Sequence, residues 1–216
     1  MKTLLITLAQ INSTVGDIKG NCQKIINCIN KAKDLESDLI IFPELALSGY
    51  PAEDLLLRPK FIQTNSQYLE KVIKAADSIS AIVGFPYFYK HKLFNAAAII
   101  YNKKLAGVYK KMHLPNYGVF DEMRYFQSGN KALVLEFSKD LRVGLNICED
   151  IWHEKEPAKI QSQIGRAKII INISASPYYA QKLKLRQDLL SQRAKENKCF
   201  LAYCNLVGGQ DELVFD

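Results

Sequence analysis

Proline and glycine are scarce in this chain, seven and eleven in 216 residues. That scarcity excludes a collagen-like repeat and a Pro/Gly-rich low-complexity chain. A 48% hydrophobic and 10% aromatic content excludes intrinsic disorder. Long hydrophobic runs are missing too: stretches such as Ile169 to Ile173 fall far short of the ~20 residues a membrane helix needs. The start lacks the marks of a leader, since Met1-Lys2-Thr3 opens a short apolar stretch that meets Gln10 and Asn12 with no small-residue cleavage site. A cytoplasmic chain with no membrane partner is expected.

Histidine and cysteine are few. His91, His113 and His153 have no close metal-ligand pairing, so no metal is expected. Five cysteines make an odd count without C-x-x-C spacing, which points to free thiols rather than a disulfide framework. Cys22 and Cys28 fall in a helical pattern, Cys199 and Cys204 in an apolar run. The 29 Lys and Arg exceed the 22 Asp and Glu, for a net charge of +7. These cations are scattered, and the densest patch, Lys182, Lys184 and Arg186, opens a helical pattern that also carries Asp188 and Glu196. A solvated surface, not a nucleic-acid face, is the expected reading.

The apolar patterning predicts one domain, residues 1–216, with no internal repeat or linker. Leu4 to Ala9 reads as a strand, and Asn21 as the N-cap of a helix with Cys22, Ile25, Ile26 and Ile29 on one face. Leu39 to Phe42 is a second strand, stopped by Pro43. A loop to Pro59, a helix over 61–79 and a strand over 81–85 follow. Phe94–Tyr101 and Leu105–Tyr109 flank a hairpin turn; Leu133–Phe137 and Val143–Ile147 flank another. A helix is expected over 154–166, a strand over 167–173, a helix over 183–197 and a strand over 200–207, with a last strand opening at Leu213. Several strands are apolar at nearly every residue, which implies burial on both faces and a layered α/β or α+β domain.

Three residues stand out against this background. Glu44 follows Pro43 at the end of the second strand, Lys111 follows the strand ending at Tyr109, and Cys148 follows the strand ending at Ile147. Strand ends in layered α/β folds are where catalytic groups collect. A thiol needs a base, a carboxylate can be that base, and a fixed cation can stabilise an oxyanion. Together they are the parts of an amide-cleaving site.

The words around them are Phe42-Pro43-Glu44-Leu45, Lys111-Met112-His113-Leu114-Pro115 and Asn146-Ile147-Cys148-Glu149-Asp150-Ile151-Trp152. In this order they resemble the three signature segments of the nitrilase, or carbon–nitrogen hydrolase, superfamily. More narrowly, Tyr50 to Leu56, Leu114 to Glu122, Cys148 to Trp152 and Gly208 to Glu212 resemble the N-terminal glutaminase domains of glutamine-dependent NAD synthetases. The resemblance covers essentially the whole chain. It implies a four-layer αββα sandwich and hydrolysis of the glutamine side-chain amide to supply ammonia for amidation of deamido-NAD. Glu44 would be the general base, Lys111 the oxyanion-stabilising cation and Cys148 the nucleophile that forms a thioester. Tyr117, Phe120, Glu149, Ser176 and Lys182 would line the glutamine pocket, although Tyr117 and Phe120 also read as core packing. Glu122 would orient Lys111 through an ion pair.

The glutaminase step needs no cofactor; ATP and magnesium are implied only for a synthetase domain, normally in the same chain, that this sequence does not contain. Gly208-Gly209-Gln210-Asp211 lacks the flanking serines of a pyrophosphate loop and matches the glutaminase domain's own closing segment. Family domains run longer, so the sandwich is expected to be C-terminally truncated, and open sheet edges lead us to expect a homo-oligomer or a marginally stable chain. A free-standing nitrilase-type amidohydrolase acting on another small amide, and a non-catalytic basic binding module, remain as rival readings. A Cys148–His153 dyad is disfavoured, because dyad partners meet in space from distant segments.

Overall fold

A computed structural model describes residues 4–216; Met1-Lys2-Thr3, on which the expectation of a leaderless start rests, lie outside the described residues. No helix among the described residues is long and apolar enough to cross a membrane. The first half builds one sheet: β1 (Ile6–Leu8), α1 (Ile18–Asp34), β2 (Leu39–Ile41), α2 (Pro59–Ala75), β3 (Ser80–Tyr89), β4 (Lys92–Tyr101) and β5 (Lys104–Lys110). Its strands lie in the order β1-β2-β3-β4-β5. The two helical crossovers make β1, β2 and β3 parallel, and the two hairpins make β4 and β5 antiparallel.

The second half repeats the theme. β6 (Leu133–Ser138), β7 (Leu141–Ile147), β8 (Ile169–Ser174), α3 (Lys182–Asn197) and β9 (Phe200–Asn205) give a sheet in the order β6-β7-β8-β9. The chain closes in a short hairpin of β10 (Gly208–Gln210) and β11 (Leu213–Phe215).

The period of two along each strand divides the core into layers. Leu39 and Ile41 of β2, Ile82 of β3 and Ala97 and Ile99 of β4 face Val143, Leu145, Ile147, Ile171 and Ile173 of the second sheet. Their alternates, Ile40, Ala81, Val83, Ala96 and Ala98, pack under Ile25 and Ile29 of α1 and Leu69, Val72 and Ile73 of α2. On the far side, Ile170 and Leu201 meet Leu189 and Leu190 of α3. Helix, sheet, sheet, helix: this is the four-layer αββα sandwich expected. Strands apolar on both faces follow directly from it.

Several local expectations are corrected. Asn21 does not cap α1; Asp17 does, accepting from the Gly20 N–H, while Asn21 lies inside the helix and bridges to Thr14 and Leu47. The third strand runs on through Pro86 to Tyr89. Proline is tolerated there because β2 pairs only with Ser80–Ile82, so that flank of Pro86 has no ladder to donate to. The helix expected over 154–166 is shortened to residues 158–164, ending in a π-helical turn at Ile160–Ile164, since Pro157 breaks its start. The strand expected to open at Leu213 is present as β11, paired back on β10.

The basic patch on α3 is only partly a solvated face. Arg186 is buried and paired with Asp216 at 2.9 Å, and Arg193 is buried against the carbonyls of Ile151 and Trp152. Leu183 and Leu185, conversely, are exposed. Guanidinium groups tolerate burial where carbonyls or carboxylates meet their fork of donors, as these do.

Gly84 of β3 sets how closely the Glu44 turn approaches the sheet. A Cβ at this position would sit on the backbone of Pro43, Glu44 and Leu45. Gly84→Ala is therefore expected to cost about 1–3 kcal/mol by forced backbone displacement. A thermal melt matching that of the unsubstituted chain would show that the turn is not held this tightly.

Candidate active site

The described residues Glu44, Lys111 and Cys148 come from three strand ends at the same rim of the two sheets. Glu44 follows β2 by way of Phe42, whose N–H donates to the Ile82 carbonyl. Lys111 follows β5, its N–H donating to the Asn95 carbonyl. Cys148 opens a short 3-10 turn after β7. All three are buried, Lys111 and Glu44 completely.

The Lys111 ammonium donates to Glu44 Oε1 at 2.6 Å and to Glu122 Oε1 at 2.7 Å. The ion pair that the sequence reading assigned to Glu122 is thus present. Neither carboxylate depends on the lysine alone. Glu44 Oε1 also accepts from Asn95 Nδ2 at 2.7 Å, and Glu44 Oε2 accepts from the Ala175 N–H at 2.9 Å. That last bond crosses from the first sheet to the exit of β8 in the second. Glu122 accepts from the Tyr50 hydroxyl at 3.0 Å and from Asn95 Nδ2 at 3.3 Å.

Burial shapes the proton affinities here. Desolvation opposes the Lys111 charge, but Glu122 and Glu44 outweigh it and hold its pKa well above the usual lysine value. Burial pushes Glu122 up to about 7 against the pull of Lys111, and the Glu44 charge adds to the rise. The Cys148 thiol is driven well above its ordinary value, by burial first and then by the Glu44 charge, with Lys111 opposing. Resting Cys148 is therefore a thiol, and any chemistry through its thiolate would need a base to take the proton.

Cys148 has φ = 42°, the left-handed region that non-glycine residues seldom occupy. Such strain costs ~1–3 kcal/mol and persists only where the surroundings over-determine it. Asp150 supplies much of that constraint, with four donors on its buried carboxylate. Desolvation pushes the Asp150 carboxyl up to about 6 while those donors pull it down. On the other side, Asn172 Nδ2 reaches the Cys148 carbonyl at 3.4 Å and Asn146 Oδ1 at 2.6 Å.

The expected pocket residues fall into two groups. The Tyr117 hydroxyl donates to Glu149 Oε2 at 2.9 Å, and its ring meets Phe120 edge-on with centroids 5.5 Å apart. Tyr117 is exposed, and Phe120 packs at the margin of a core cluster. Ser176 and Lys182 stand on the exit of β8 and the start of α3. Ser176 is buried against Asn205, and Lys182 Nζ lies 4.4 Å from the centre of the Trp152 ring. Among the described residues no hydrogen bond or ion pair joins either of them to Glu149.

Sequence reasoning missed Asn95, Asp150 and Asn172. Asn95 carried a signal, a lone amide inside the apolar run Phe94 to Ile100, and such residues are buried only when hydrogen-bonded.

A cysteine on a strained turn beside a buried Glu–Lys–Glu cluster, at the rim of an αββα sandwich, defines a class of amide-cleaving domain. The carbon–nitrogen hydrolase family profile matches residues 5–215, and the chain belongs to that family. Among curated relatives it is 46% identical over its whole length to a glutamine-dependent NAD(+) synthetase of Thermotoga maritima, and 46% identical to one of Aquifex aeolicus. It spans 38% and 37% of those proteins. The solved glutamine-dependent NAD+ synthetase of Acinetobacter baumannii superposes with a TM-score of 0.94 at 41% identity, covering all of this chain and 40% of that one. An amidase of Nesterenkonia, 22% identical with a TM-score of 0.86 over 99% of this chain and 80% of its own, shares the fold.

Removing the cation should expose what it holds together. Lys111→Met leaves two buried carboxylates facing one another and is expected to cost about 3–5 kcal/mol near pH 8. A folded-state pKa raised above the unfolded value favours folding below the unfolded value and loses that contribution as pH rises through the folded one. Without Lys111, Glu122 binds its proton still more tightly, so the deficit should shrink from pH 8 to pH 5. Denaturant melts at both pH values check this, and a deficit that is constant or grows on acidification would contradict it.

Proposed function

We propose that this chain hydrolyses the side-chain amide of glutamine to glutamate and ammonia through a thioester on Cys148. The observation that carries the reading is the Lys111 ammonium, within 2.7 Å of both Glu44 and Glu122 beside the Cys148 turn. Similarity to synthetases whose names specify glutamine supports the substrate.

In this mechanism Glu44 takes the Cys148 proton as sulfur attacks the amide carbon, because the high thiol pKa leaves no standing thiolate. Charge builds on the amide oxygen, facing Lys111 and the Glu149 N–H. The C–N bond breaks, and the proton held by Glu44 leaves with ammonia. Glu44 then deprotonates a water that attacks the thioester, releasing glutamate and returning the proton to sulfur. Fixed bonds from Asn95 and Ala175 keep the Glu44 carboxylate aimed through both half-reactions.

Glu149, held by Tyr117, suits the α-ammonium of an amino acid, and Lys182 suits its carboxylate. Phe120 and Ser176 complete the pocket walls. This step uses no cofactor or metal. In the longer relatives' plan, the ammonia would pass to a synthetase domain that consumes ATP with magnesium to amidate deamido-NAD. We further propose a cytoplasmic homo-oligomer with no nucleic-acid partner.

The test is ammonia release from glutamine by the chain and by Cys148→Ala. Loss of at least about 10³-fold in turnover is expected for the variant, in line with removal of a nucleophile. A panel of small amides separates this reading from its rival. Preferential hydrolysis of another amide would favour a general amidohydrolase, and unchanged turnover in Cys148→Ala would remove the thioester altogether.

A further inference from the structure

We propose that Asp150 is a positioning residue, whose one carboxylate sets the distance between the turn carrying Cys148 and the segment carrying Lys111. Asp150 Oδ1 accepts from the N–H groups of Met112 at 3.1 Å and His113 at 2.9 Å, immediately after Lys111. Asp150 Oδ2 accepts from the Ile147 N–H at 2.9 Å, immediately before Cys148, and from the Tyr109 hydroxyl at 2.7 Å. The two oxygens therefore tie β5, the segment after it and the end of β7 to one point. Between residues 111–113 and 147–151, the described residues share no other hydrogen bond.

The chemistry selects an ionised carboxylate. Asp150 is completely buried, and four donors occupy the four lone-pair directions of its two oxygens. No acceptor capacity is left for a substrate, so its effect on the reaction passes through Cys148 and Lys111. Those two residues differ from it in kind: each faces the reacting atoms in the proposed mechanism, whereas Asp150 faces three backbone N–H groups and the Tyr109 hydroxyl. Its contribution is to hold a nucleophile at φ = 42° in fixed relation to a cation that follows β5 and is itself clamped by Glu44 and Glu122.

Asp150→Asn keeps the shape and the acceptor for Met112 and His113, but it turns an NH2 group toward the Ile147 N–H and orphans that donor. Tyr109→Phe removes a single donor and leaves three N–H groups in place. The experiment compares both variants with the unsubstituted chain, at a temperature where all are folded by circular dichroism. The first measurement is the rate of Cys148 alkylation by iodoacetamide, read on the Cys148 peptide by mass spectrometry. There sulfur displaces iodide and forms one S–C bond. The second is kcat and KM for glutamine.

For Asp150→Asn we expect alkylation about tenfold slower or more and kcat lower by on the order of 10²-fold, the cost of a misplacement near 1 Å. KM should stay within about threefold. Tyr109→Phe should move the same quantities in the same direction by a smaller factor. It decides the matter alone if Asp150→Asn does not fold. A purely structural role would lower the melting temperature and leave alkylation and kcat of the folded protein unchanged, and that result overturns the proposal. The kcat comparison rests on the proposed glutaminase reading, while alkylation does not. Failure of the unsubstituted chain to hydrolyse glutamine would therefore refute that reading and leave the alkylation rates to decide the role of Asp150.

Discussion

An ammonium group taken wholly out of water is the constraint on which the rest of this structure depends. Lys111 is fully buried, and its charge survives there only because Glu44 and Glu122 each accept a bond from it. Two carboxylates around one cation leave a surplus negative charge, which must itself be stabilised. Asn95, Tyr50 and the Ala175 N–H do so. Each comes from a different segment, so the ionic cluster fastens both sheets and the intervening loops at one rim of the sandwich.

The same cluster explains why the cysteine is built as it is. Beside so much negative charge and away from solvent, Cys148 holds its proton tightly. A site meant to store a thiolate would place cations and helix N-termini around the sulfur instead. Here the arrangement suits a thiol that gives up its proton only when an electrophile is in position, the role for Glu44 in the proposed mechanism being to receive it. The strained turn, the Asp150 carboxylate beneath it and the Asn172–Asn146 pair beside it are all compatible with that economy of motion.

Much of this was legible in the sequence, for identifiable reasons. Several strands apolar at nearly every position revealed sheets covered on both faces, and Pro43 marked a strand end just before Glu44. The three segments around Glu44, Lys111 and Cys148 carried the family. What escaped the reading depends on contacts far apart in the chain. Asp17 displaced Asn21 as the cap because the Asn21 amide is drawn to Leu47, 26 residues away. Arg186 read as part of a solvated basic patch, since its partner Asp216 lies 30 residues away, just past the closing hairpin. Asp150 was given no role, because three of its four partners lie 37 to 41 residues upstream and only the Ile147 N–H is local.

The central claim is that the Lys111 charge is locked in by the two glutamates, and the most direct measurement follows that charge itself. In protein labelled with 15N at lysine side chains, the Lys111 resonance is identified by its loss in Lys111→Met and followed by NMR as pH rises. The account requires it to remain an ammonium beyond pH ~10.4, where ordinary lysines titrate, because its folded pKa lies well above that value. A Lys111 that lost its proton at or below the ordinary lysine range would contradict the account, for then burial would outweigh the paired carboxylates and no fixed cation would face the substrate.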